Sequence, residues 1–143
     1  MQTGTDKSLT PLLKELKQIC DTGYALALHI RFTRPNILFQ TYNQDWIDLY
    51  SANGMMLQDP VVQWGFANTG FVYWNDLDDP DGILLRASQY GITNGLTCAV
   101  DIDNSRSISG FSRSSGPFTA EEADYLFELT KKIHLLTQAE KAA

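Results

Sequence analysis

Two pairs of short apolar segments, each pair joined by a few turn-forming residues, constrain this chain more than any other feature. Tyr24 to Phe32 and Ile37 to Gln40 flank Arg34-Pro35-Asn36, and Leu96 to Ile102 and Ser107 to Ser112 flank Asp103-Asn104-Ser105. Apolar runs of this length, punctuated by Pro, Asn and Asp, read as antiparallel hairpins. In the last run Ser107, Ser109 and Phe111 alternate with Ile108, Gly110 and Ser112, which gives the two faces of a strand different surroundings. A further strand, Phe71 to Trp74, follows Gly70.

Helical spacing fills the intervals. Thr10-Pro11 offers an N-cap and a proline at the first helical position, and Leu12, Leu13, Leu16, Ile19 and Cys20 recur on one face until Gly23. Tyr42 to Ser51 is helical and ends at Asn53-Gly54, and Asp59 caps a short helix from Pro60 to about Asn68. A helix from about Gly82 to Tyr90 stops at Gly91. Thr119 and Glu122 form a capping box for a last helix lined by Leu126, Leu129, Ile133 and Leu136, with a solvated helical tail from Gln138 to Ala143. The order α-β-β-α-α-β-α-β-β-α predicts an α/β/α sandwich with a central five-stranded, mainly antiparallel sheet, similar to GAF and PAS sensor domains. A length of 143 residues suits a single domain over 1–143.

Composition is that of an ordinary globular protein, so the charge balance carries more information. A net charge of −6, with only 11 Lys and Arg, argues against direct binding of nucleic acid. The N-terminus lacks an apolar signal region, and no apolar run approaches the ~18 residues a membrane span needs, so a cytoplasmic location is expected. Cys20 and Cys98 have no metal-like spacing and read as buried thiols. Asp76, Asp78, Asp79 and Asp81 resemble a calcium loop only superficially: its glycine would fall at Asp81 and its bidentate glutamate at Ala87. His29 and His134 have no paired ligand spacing and read as structural or surface residues. No phosphate loop or G-x-S-x-G elbow is present, so neither an enzyme, a metal nor a cofactor is expected.

Tyr42, Trp46 and Tyr50 recur at four-residue intervals, which puts three polar-tipped rings on one helix face, with Asp59 and Trp74 following. A core helix shows the same stripe, with Asp59 serving only as a cap and Trp74 as a plug against the sheet. The stripe by itself fits a core helix better, and the density of polar tips is what raises the reading as a site, because each buried N–H or O–H needs a partner and a buried carboxylate must be paired, bonded or protonated. An indole N–H only donates and suits a carbonyl, whereas a carboxylate suits an amide N–H. Together they fit a small amphipathic ligand with an amide and an ester.

Tyr42-x-x-x-Trp46-x-x-x-Tyr50, Asp59-Pro60-Val61-Val62, Trp74 and Tyr90-Gly91-Ile92-x-x-Gly95 resemble the ligand-binding domain of LuxR-type quorum-sensing regulators, which bind N-acyl-homoserine lactones. The resemblance spans nearly the whole chain. It implies that Trp46 donates to the lactone carbonyl, Asp59 accepts from the amide N–H and Tyr42 donates to the acyl-side carbonyl. Tyr50 and Trp74 would wall the ligand, Pro60 and Gly95 would shape the backbone beside it, and Ser112 would place a hydroxyl near the acyl group. The segment from Asn75 to Gly82 and the helix after it look shorter than in the family, which implies a different cover over the acyl chain. The resemblance further implies ligand-coupled folding and a homodimer or a heterodimer with a related regulator. The family's helix-turn-helix domain is absent from this sequence, so the expectation divides between part of a regulator and a stand-alone domain that forms inactive heterodimers with one. A sensor of another small molecule is the third possibility.

Overall fold

Five strands form one fully antiparallel sheet in the order β2-β1-β5-β4-β3. A computed structural model describes residues 3–138, with side chains from residue 8 onward; the predicted tail beyond Gln138 lies outside the described residues. The elements are α1 (Thr3–Ile19), β1 (Gly23–Arg31), β2 (Arg34–Gln40), α2 (Gln44–Ala52), α3 (Pro60–Ala67), β3 (Gly70–Tyr73), α4 (Ile83–Ser88), β4 (Leu96–Ile102), β5 (Ser105–Ser112) and α5 (Ala120–Leu136). Single 3-10 turns at Met55–Gln58 and Trp74–Asp76 precede α3 and follow β3, so Trp74 stands just past the strand predicted to contain it.

The period-two pattern of the strands assigns the two faces. Tyr24, Leu26 and Leu28 of β1, Cys98 of β4 and Phe111 of β5 turn to one side, where α1 and α5 supply Leu16, Leu126, Leu129 and Ile133 for the main core. Ser109 and Ser107 also face that side, and each is hydrogen-bonded to α5: Ser109 Oγ lies 2.9 Å from Thr130 Oγ1, and Ser107 Oγ 2.7 Å from His134 Nδ1. On the opposite face α2, α3 and α4 enclose a second, smaller cluster built on Trp46, Met55, Trp74, Ile83, Ala87 and Ile92. The predicted sandwich and the alternation along β5 are both present.

The first hairpin and the first helix depart furthest from the predicted elements, and α4 ends at Ser88, short of the predicted Tyr90. The first hairpin turns at Phe32-Thr33, with Arg31 opposite Arg34, so Arg34-Pro35-Asn36 belongs to β2 rather than to a turn. Proline is tolerated there because β2 is an edge strand. Helix α1 starts at Thr3 and contains Pro11 instead of beginning at it. Leu9 is buried, so the apolar face continues N-terminal to the proline, and this packing retains the extra turns despite the missing amide hydrogen.

The Asp59 and Thr119 capping predictions correspond to observed hydrogen bonds, whereas Thr10 lies inside α1. Thr119 Oγ1 accepts from the Glu122 amide while Glu122 Oε1 accepts from the Thr119 amide, and Arg113 forks onto Glu122 at 2.8 and 2.9 Å. The second hairpin turns on Asp103 and Asn104, at φ 56° and 62°, a geometry that matches strand twist and that Asp and Asn tolerate. Asp79, in the acidic loop, accepts from the Ile83 and Leu85 amides and so anchors the start of α4.

Candidate functional site

Between the sheet and the α2/α3/α4 layer lies a cavity of about 320 Å³. Tyr42, Trp46, Tyr50, Asp59 and Trp74 all line it, so the structure brings five of the predicted site residues together. They arrive by different routes. Asn43 is the N-cap of α2, its side chain accepting from the Asp45 amide at 2.8 Å, so Tyr42 stands before the helix rather than on it. Trp46 and Tyr50 do share a helix face, their rings meeting edge-on at 5.8 Å, and Tyr90 packs on Trp46 from the turn after α4 at 5.5 Å.

Asp59 occupies the junction of two helical segments. Its Oδ1 accepts from the Val61 amide at 2.9 Å, which caps α3 ahead of Pro60, and its Oδ2 accepts from the Tyr50 hydroxyl at 2.7 Å. Burial pushes its carboxyl pKa up, and the bonds from Tyr50, Val61 and Val62 pull it back. These bonds leave further lone-pair capacity on the carboxylate to accept from a ligand. The Tyr42 and Tyr50 phenols are held well above their ordinary range by desolvation and by the Asp59 charge, so both are neutral donors.

The indoles differ. Trp74 Nε1–H donates to Thr97 Oγ1 at 2.9 Å, and the Trp74 amide donates to the Gly95 carbonyl at 2.9 Å, so this ring is fixed by the sheet. It lies so close to Gly95 that a methyl group there would fall 1.9–2.3 Å from ring atoms. Trp46, by contrast, makes no hydrogen bond through its indole N–H among the described residues, and neither does the Tyr42 hydroxyl. Among the described residues no buried side-chain polar atom lacks a partner, so these two donors keep accessible surface, and both residues line the cavity.

A family model described as the autoinducer binding domain matches residues 23–140. The chain belongs to the autoinducer-binding domain family. Relatives include the transcriptional activator proteins AhyR of Aeromonas hydrophila, 26% identical over 130 residues, and EsaR of Pantoea stewartii subsp. stewartii, 31% identical over 103 residues. These alignments cover 77% and 67% of this chain but 50% and 41% of the relatives, so the autoinducer-binding domain spans about half the length of the regulators it matches. Those relatives are regulators of transcription, not enzymes.

Solved structures share the fold. Escherichia coli SdiA superposes with a TM-score of 0.68 at 21% identity over 92% of this chain and 59% of that one. SdiA in complex with octanoyl-rac-glycerol gives 0.66 at 22% over 95% and 58%. The N-acylhomoserine lactone dependent LuxR family transcription factor CepR2 of Burkholderia cenocepacia gives 0.65 at 16% over 92% and 81%.

Ser112 is not part of the cavity of this autoinducer-binding domain. It is fully buried at the end of β5, 2.7 Å from Thr22 Oγ1 and donating to the Gly23 carbonyl at 3.2 Å, so its hydroxyl is already engaged. Two residues earlier, Gly110 lies against the aromatic group: a methyl group added there would sit 3.0 Å from the Tyr42 hydroxyl oxygen and 3.7 Å from Trp74. Ala25 and Ala27 of β1, Met56 and Ile92 also line the cavity and were not anticipated. Their only sequence signal is the small-residue alternation Ala25, Ala27 against Leu26, Leu28.

Cys20 and Cys98 are free buried thiols whose pKa values burial raises to about 12, which leaves both unreactive. Among the described residues no His, Cys, Asp and Glu cluster could hold a metal, and no helix is long and apolar enough to cross a membrane. His29 and His134 form one buried unit, rings 4.2 Å apart, with His29 Nε2 donating to the His134 carbonyl at 2.9 Å. Their 105-residue separation in sequence hid that pairing.

Proposed function

We propose that this chain binds an N-acyl-homoserine lactone through Trp46, Asp59 and Tyr42, and that occupancy is coupled to folding and to dimerisation of a cytoplasmic LuxR-type regulator. The supporting observation is the pattern of unmet hydrogen-bonding capacity. Trp46 N–H and Tyr42 O–H belong to residues that line the cavity and have no protein partner among the described residues, while Asp59 presents a carboxylate with acceptor capacity to spare. Two donors and one acceptor match the two carbonyls and one N–H of an acylated amino lactone.

In this reading Trp46 donates to the lactone carbonyl, Tyr42 to the acyl-side carbonyl, and Asp59 accepts from the amide. Tyr50 orients Asp59 by holding Oδ2, and Trp74, fixed through Thr97 and Gly95, forms a rigid wall. Filling an apolar cavity of about 320 Å³ with a ligand that binds only the folded state stabilises that state by mass action. A homodimer, or a heterodimer with a related regulator, would carry the readout, and DNA would be contacted by another domain.

A second ligand class follows from the SdiA complex with octanoyl-rac-glycerol: an acylglycerol, whose hydroxyls would replace the amide as donors to Asp59. A thermal-shift titration with both classes tests the proposal. Acyl-homoserine lactones should raise the melting midpoint, and no shift with lactones of any length, alongside a shift with acylglycerols, moves the assignment to the second class.

A further inference from the structure

The cavity has a sealed end and an open one. Near Gly110, Thr97 and Trp74 the sheet is buried, and the Tyr42 hydroxyl, assigned to the acyl-side carbonyl, lies against Gly110 there. From that end the register carries the floor sideways across three strands. Gly110 lies beside Ala25, which pairs with Gln40, and Ile108 lies beside Ala27, which pairs with Leu38.

Burial fades along the same path. Ala25 and Ala27 are only half-buried in the middle of the sheet, although Leu26 and Leu28 on the other face of the same strand are 0% exposed. At the far end Leu38 is 50% exposed and Phe66 of α3 is 37% exposed, yet both line the same cavity. The alanines leave a trough, and the helical layer stops short of the edge strand.

We propose that this trough is a tail channel, in which the acyl chain crosses Ala25 and Ala27 and leaves the protein between Leu38 and Phe66, so that long and terminally substituted chains are accepted. The proposal rests on the acyl-ligand reading above. A closed chamber imposes a length limit, because a tail longer than the chamber must buckle or displace the core. A channel open at one end imposes none. Affinity rises while methylenes enter the trough and levels off once they reach Leu38.

The test uses the full chain and N-acyl-homoserine lactones from butanoyl to tetradecanoyl, together with a dodecanoyl lactone bearing a dansyl group on its terminal carbon, measured by calorimetry. Expected is a gain of about fourfold per methylene, followed by a plateau with no decline, and a dansyl group that changes affinity by less than about threefold. L38E, at an exposed position, should weaken binding increasingly with tail length, from under about twofold for butanoyl to about tenfold for tetradecanoyl. An optimum length with a tenfold or greater loss two methylenes beyond it, a comparable loss on adding dansyl, or an L38E effect equal at all lengths overturns the channel while leaving the acyl-lactone reading intact. Absence of binding at every length removes both.

Discussion

The Tyr50 hydroxyl donates to the Asp59 carboxylate across 2.7 Å, joining α2 to the cap of α3 beside the cavity. The bond gives Asp59 two duties: it starts a helix with one oxygen and holds the other in a fixed direction toward the cavity. Separating the two duties is the most direct way to test the site.

Asp59→Asn should do so. Asparagine is as good an N-cap as aspartate, and removing a buried charge offsets the loss of one of the two accepted bonds. The unliganded stability is therefore expected to stay within about 1 kcal/mol of the parent. Ligand affinity should fall by about 1–3 kcal/mol, since the amide side chain turns an N–H toward a ligand N–H. A large loss of stability in urea with undiminished ligand-induced shift would instead make Asp59 a cap alone.

Trp46→Phe and Trp74→Phe are expected to behave differently although both remove an indole N–H. The Trp46 N–H has no partner among the described residues, so its loss should act on ligand affinity with little effect on the empty protein. Loss of the Trp74 N–H leaves the Thr97 hydroxyl without its donor in a buried position and should cost about 1–3 kcal/mol of folding stability before any ligand is added. Paired denaturation and binding curves for both variants decide this.

Gly95→Ala should be severely destabilising. The added methyl would overlap the Trp74 ring, and the contact is with a ring fixed at its N–H rather than a free chain end. Overpacking of this kind costs about 1–3 kcal/mol or more, and near-ultraviolet circular dichroism should show the indole displaced. Ser112→Ala serves as the contrast: loss of the Thr22 and Gly23 bonds lowers stability modestly, while the ligand-induced thermal shift stays at the parent value because Ser112 is outside the cavity. A smaller shift in that variant would return Ser112 to the site.

Acid should weaken the fold through His134. Desolvation, followed by the neighbouring His29, holds the His134 pKa below its ordinary 6.5. The unfolded chain therefore binds a proton that the folded chain refuses, so stability present above pH 6.5 declines as pH falls from there toward the depressed value. Asp59, with its raised pKa, works in the opposite direction at lower pH, so the effect is read as a difference. His134→Gln should show a flatter dependence of urea midpoint on pH between 7 and 5.5 than the parent, and parallel curves would assign the acid sensitivity elsewhere.

Local chemistry made much of this legible from sequence. The Thr119 capping box, the Asp59-Pro60 cap and the Asp103-Asn104 turn each depend on residues within four positions of one another, and each was identified where it occurs. Pro11 and Pro35 misled because their meaning depends on tertiary context: burial of Leu9 extends a helix through one, and an edge position admits the other into a strand. At the site, the aromatic and acidic residues declared themselves by polar tips at regular spacing. Gly110, Ala25 and Ala27 did not, since a small side chain signals space only when the neighbours that define the space are known. Ser112 shares a face with Gly110 but stands two residues further on, at the end of β5, where Thr22 and the Gly23 carbonyl meet its hydroxyl, and only the tertiary fold reveals that.

Adjacent residues of β5 look out on different compartments, Gly110 on the aromatic cavity and Ser109 on Thr130 of α5. The partition between the aromatic cavity and the long C-terminal helix is thus a single sheet thick. Helix α5 is fastened to the back of that plate with no hinge or loop between them, since Ser109 and Ser107 bond Thr130 and His134 directly.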